Sequence, residues 1–108
     1  MAMQTDVLAS QARTDDGVLN DYGGNAIGRC RIRGIYIVPS GTAGSVVFKD
    51  GSTSSGTTKM TINTVASATQ PTYMLLPADG VLFTTGVYVD VTSIGSVMVF
   101  YEIGRAHV

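Results

Sequence analysis

From Arg29 onward the chain falls into short runs of alternating or continuous apolar residues, each closed within a few positions by glycine, proline or aspartate. Alternation with a period of two marks a half-buried strand. Runs this short, joined by turns this tight, predict antiparallel strands and leave no convincing helix after residue 28. "RCRIRGIYIVP" is a long strand ended by Pro39. "SVVFKDG" closes on Asp50-Gly51, a strong turn signal. "TKMTINT" sets Met60 and Ile62 on one face and Lys59, Thr61 and Asn63 on the other. "TYMLLP", "VLFTT", "GVYVDVTS" and "VMVFYEI" complete the series, separated by "ADG", Gly86 and "IGS". Near-regular strands with glycine turns predict an all-β domain, an antiparallel β-sandwich of the jelly-roll or immunoglobulin-like kind.

Residues 1–28 read differently. Their apolar residues are isolated or paired, at Val7, Leu8, Val18, Leu19, Tyr22 and Ile27, and fit neither period cleanly. A short helix over Thr5 to Arg13 is compatible with the pattern. The expected organisation is an extended N-terminal arm, 1–28, followed by a sandwich domain, 29–108. With 108 residues, one domain with a real core is all the chain can build.

Charge separates along the same boundary. In residues 1–28, Asp6, Asp15, Asp16 and Asp21 stand against Arg13, a net charge of −3, whereas residues 29–108 sum to +2. The whole chain carries −1, which argues against a general nucleic-acid binder. Charged residues make up only 14%, against about a quarter in ordinary domains, so little of the surface is protected by charge. Two strands are apolar on both faces: Ile35 and Ile37 oppose Tyr36 and Val38, and Val97, Val99 and Tyr101 oppose Met98 and Phe100. A sandwich buries one face of each sheet, so such strands predict a second cover, either the arm or another subunit.

Chemistry-bearing residues are sparse. Cys30 is the only cysteine and His107 the only histidine, so neither an internal disulfide nor a Cys/His zinc site is expected. His107 is penultimate, a poor place for a preorganised base. Cys30 lies between two arginines but faces away from them and reads as a small buried hydrophobe. Asp90 and Glu102 are expected on strands, as possible cross-strand neighbours. The spacing of Asp15, Asp16 and Asp21 matches no calcium loop, and "SGTAGS" lacks the lysine and helix of a phosphate loop. The expectation is no enzyme, no cofactor and no metal. The N-terminus lacks a signal-peptide pattern and no run reaches the length of a membrane helix, which predicts a protein kept in the cytoplasm or released by lysis, with no membrane partner.

The sharpest local feature is the arginine row. Arg29, Arg31 and Arg33 alternate at the start of one strand, and strict alternation would place Ile35 and Ile37 on the same face beyond them. Solvent, nucleic acid or a carboxylate-bearing partner could satisfy these guanidinium groups. The chain has few other cations and no interleaved aromatics, which disfavours direct nucleic-acid contact. Arginine pairs bidentately with carboxylates, so the favoured partners are the acids of the arm, Asp15, Asp16 and Asp21, from this or a neighbouring copy.

The stretches "RIRGIYIVPSGTAGSVVFKDG" and "PADGVLFTTGVYVDVTSIGSVMVFYE" resemble small β-sandwich proteins encoded by tailed, marine podovirus-like bacteriophages, over roughly residues 29–102. The resemblance implies a virion component assembled in the host cytoplasm: a capsid decoration or cement protein that binds copies of itself and the major capsid protein. A ring-forming head–tail connector or tail component is the first alternative. A carbohydrate-binding module using tyrosine-containing loops is the second.

Overall fold

In a computed structural model, which describes residues 7–67, 69–76 and 80–103, the chain is all β, with no helix among the described residues. Nine strands form among the described residues: β1 Leu8–Ala9, β2 Gly17–Val18, β3 Cys30–Pro39, β4 Gly44–Asp50, β5 Thr57–Thr64, β6 Thr72–Leu75, β7 Val81–Phe83, β8 Val87–Thr92 and β9 Ile94–Glu102. Every run expected to be a strand after Arg29 is one.

The strands pair into two antiparallel sheets. The first has the order β1-β9-β3-β6, with β7 also on β3; the second has the order β2-β8-β4-β5. Taking β6 and β7 as one interrupted strand, successive pairs split between the sheets in the order of an eight-stranded jelly roll. The predicted antiparallel sandwich is therefore present, and strand order selects the jelly roll over the immunoglobulin-like arrangement.

The core lies between the sheets. Ile32, Ile35, Ile37, Val97 and Val99 from the first sheet meet Val46, Phe48, Val87 and Val89 from the second, all essentially without solvent contact. Phe83 and Cys30 fill the end near the β7–β8 turn. On the second sheet, Phe48 sits between Met60 and Val89 in register, and Val46 between Ile62 and Val91, so each alternating run buries one face.

Residues 7–28 close one side of the sandwich. β1 extends the first sheet along β9, and β2 extends the second along β8. Between them Arg13 forms a two-way bridge with Val97, its amide donating at 2.8 Å and its carbonyl accepting at 2.9 Å. The Arg13 guanidinium then donates to the carbonyls of Asp15, Asp16 and Val18, pinning the turn that crosses from sheet to sheet. Gly17 suits this turn because its φ of +150° is one that L side chains rarely adopt, and a Cβ there would also displace the Arg13 guanidinium. Leu19 and Ile27 enter the core, 1% and 4% exposed. The helix considered over Thr5 to Arg13 does not form over the described part: residues 7–13 are extended, held by rungs to β9.

The continuous face expected for Arg29, Arg31, Arg33, Ile35 and Ile37 is also overturned. Ile32 pairs with Tyr101 and Gly34 with Phe100, so β3 spends two residues where β9 spends one. This β-bulge reverses the alternation. Cys30 and Ile32 are buried before it, and Ile35 and Ile37 after it. The arginines face outward, and the isoleucines join the core.

Candidate functional site

The bulge builds the most distinctive surface of the molecule, on the outer face of the first sheet. Gly34 comes into register with both Phe100 on β9 and Leu75 on β6. Lacking a side chain, it leaves room for Tyr73, whose ring lies so close that a Cβ at Gly34 would meet Cε1 at 2.9 Å and the hydroxyl at 3.0 Å. Tyr73 thereby reaches across β3 to Phe100, edge to face, with ring centroids 5.7 Å apart and planes at 76°. Covering a strand glycine with a neighbouring aromatic is a known way to stabilise a sheet.

Around this pair lies an open depression of about 480 Å³, lined by Val7, Arg33, Tyr36, Tyr73, Leu75 and Phe100. Its rim is exposed: Tyr73 is 55%, Leu75 71% and Val7 46% accessible. The second cover expected for β3 and β9 is thus not supplied by residues 7–28, which extend the sheet edge in its own plane. A smaller cleft of about 220 Å³ opens between the sheets at β5 and β6, beside Ile37, Ile62, Val65 and Met74.

One end of the depression is charged. Arg33 Nη1 donates to Glu102 Oε2 at 2.6 Å, with both side chains about a third to a quarter exposed. Arg31 stands opposite Glu102 in register, and Arg29 is exposed just before β3. Neither forms an ion pair with another described residue. The Nε of Arg33 is buried without an acceptor among the described residues.

The acids of residues 1–28 are not brought to these arginines. Asp15 lies 3.5 Å from Arg13. Asp16 Oδ1 accepts the Val91 amide at 2.6 Å, tying the crossing turn to β8. Asp21 Oδ1 accepts the amides of Gly23 and Asn25. Asp6, Asp79, Arg105 and His107 lie outside the described residues. Asp90 and Glu102 are not neighbours: they sit on different sheets, Asp90 3.8 Å from Lys49 and Glu102 on Arg33.

Two titratable groups stand apart from the depression. Cys30 is fully buried, and burial, helped by the Asp50 charge, pushes its thiol up to about 12. Asp50, at the end of β4, caps the β7–β8 turn. Desolvation nudges its carboxyl upward, but donation from the Thr84 amide and hydroxyl and the Thr85 and Gly86 amides outweighs this and holds it at about 2. Among the described residues, no group of three or more His, Cys, Asp or Glu side chains could hold a metal.

The arginine end of this face was legible from sequence; the aromatic end was missed. Alternation places Tyr36 and Phe100 outward, but nothing in the sequence pairs β6 with β3, so Tyr73 and Leu75 gave no signal. The interior Gly34 was the available mark of a bulge. No family model, curated protein or solved structure matches the chain.

Proposed function

We propose that this chain is a structural protein of a tailed-phage particle, which decorates the capsid and stabilises it through protein–protein contacts. The observation that carries the reading is the apolar outer face of the first sheet, which the described residues leave open, with Tyr73 and Leu75 more than half exposed on a domain of low charge. Contiguous apolar surface of this kind marks interaction sites on small proteins. The resemblance over residues 29–102 supports the virion context. The jelly roll recurs in viral capsid domains, which is support by analogy of fold only. Docking across a junction between capsid subunits would add buried area where internal pressure pulls them apart, at about 25 cal/mol per Å² of apolar surface.

Quantitative mass spectrometry of purified particles tests this. A copy number equal to, or a simple fraction of, the major capsid protein is expected. A count matching a single ring would move the protein to a connector or tail role. Absence from particles would overturn the reading.

One observation favours a second reading, a carbohydrate-binding module. Tyr36 and Tyr73 are adjacent in register beside the Arg33–Glu102 pair, an aromatic surface next to planar charged groups. Jelly rolls also serve as lectin domains. A glycan array separates the two readings.

A further inference from the structure

We infer that the outer face of the first sheet docks an extended protein segment that presents apolar side chains followed by carboxylates. The inference deepens the structural-protein reading by naming the chemistry of the partner.

The surface is polarised along β3. Toward one end, Tyr36, Tyr73, Leu75 and Phe100 surround the depression; toward the other run Arg33, Arg31 and Arg29. A matching ligand must therefore change character along its length. An extended chain does this while keeping alternate side chains on one side.

Charge complementarity fixes the sign. The single carboxylate on this face among the described residues, Glu102, lies 2.6 Å from Arg33 and directly opposite Arg31 in register. Arg31 and Arg29 have no ion pair with another described residue. A partner bringing acids to this end gains charge-assisted, forked hydrogen bonds, and one bringing cations is repelled.

The other outer face of the same molecule provides a contrast. There Lys49 pairs with Asp90 on neighbouring strands, and Thr61 and Asn63 are exposed beside them. That face is polar, and its charges among the described residues are Lys49, Lys59 and Asp90. Among the described residues, the first sheet joins exposed aliphatic groups to the larger positive excess, Arg29, Arg31 and Arg33 against Glu102. The aliphatic rim at Leu75 and Val7 favours a protein segment over a sugar, which stacks on flat aromatic rings and hydrogen-bonds at a polar rim.

The test uses the full chain and three synthetic peptides. Each carries two leucines and then two variable residues at alternate positions in a serine background; the variable residues are aspartate, asparagine or lysine. Binding is followed by amide NMR. At low salt the aspartate peptide should bind at least about tenfold more tightly than the lysine peptide, with the gap closing as ionic strength rises. Shifts should centre on Arg31, Tyr36, Tyr73 and Phe100 and spare Val47 and Tyr88. The double variant Arg29→Glu/Arg31→Glu should reverse the preference, and Leu75→Ser, at an exposed position, should weaken every peptide. Equal binding of the three peptides, preference for lysine, no binding, shifts on the other sheet, or a glycan occupying the same residues would each overturn the inference. Failure here with the chain abundant in particles would remove only this docking face. Success with the chain absent from particles would remove only the phage reading.

Discussion

Ser10 Oγ accepts a hydrogen bond from the Val99 amide at 3.0 Å, while the Ser10 amide donates to the Val99 carbonyl at 2.9 Å. A side chain replaces one rung of the ladder where β1 leaves β9. Ser10 is fully buried, so the hydroxyl is shielded from water. Ser10→Ala would leave the Val99 N–H without its acceptor in a dry site, at a cost of about 1–3 kcal/mol. Urea unfolding should show a lower midpoint with an unchanged slope. An unchanged midpoint would mean that water enters and replaces the hydroxyl.

Asp50 should make acid stability depend on one carboxylate. Its folded-state value is about 2 against 3.8 for the free group. The folded chain therefore binds the proton less readily, and the stabilisation is complete above 3.8 and lost as pH falls toward 2. Asp50→Asn keeps the size but accepts fewer of the four donations from Thr84, Thr85 and Gly86. The variant should melt lower at neutral pH, and its deficit should shrink between pH 4 and 2. A deficit constant across that interval would assign the effect to shape rather than charge.

Alternation sufficed to find β3 to β9, because each buries one face against a single core and the period of two is written in side chains. It failed at Arg33 and Gly34 because strict alternation was carried through a bulge: the aliphatic residues of "RIRGIYI" change phase at Gly34, from Ile32 to Ile35 and Ile37, as the chain reverses its faces. Residues 7–28 failed for a related reason. β1 and β2 have two residues each, too short to show a period. Their position is set instead by the Ser10 hydroxyl, the Arg13 bridge and the insertion of Leu19. The arginine end of the candidate site was visible as charge. The aromatic end depended on the long-range pairing of β6 with β3.

Cys30 should be silent in the native protein. Its thiol is buried, and a value near 12 leaves almost no thiolate at pH 8. An aromatic disulfide reagent should label it only as fast as the chain opens, and at full speed in denaturant. The folded state favours the neutral thiol, so stability should be level below pH 9.0 and decline above it, toward about 12. Rapid native labelling would show that the β3 end of the core opens locally.

Gly34 and Tyr73 should be energetically coupled. A Cβ at position 34 would lie 2.9 Å from Tyr73 Cε1 and 3.3 Å from the Met74 carbonyl oxygen. The ring can swing away; the carbonyl belongs to the β6 backbone and moves only with the strand. Gly34→Ala should therefore displace Tyr73 from Phe100 and destabilise by about 1–3 kcal/mol, as overpacking does. Tyr73→Ala loses the edge-to-face pair, worth about 0.5–1.5 kcal/mol beyond its buried area. In the double variant the methyl enters space that the ring has vacated, so the combined loss should fall short of the sum by at least about 0.5 kcal/mol. A double-variant cycle by urea unfolding measures that difference. Strict additivity would mean that the alanine acts through the β6 backbone, and that the tyrosine's place over Gly34 is incidental to the bulge.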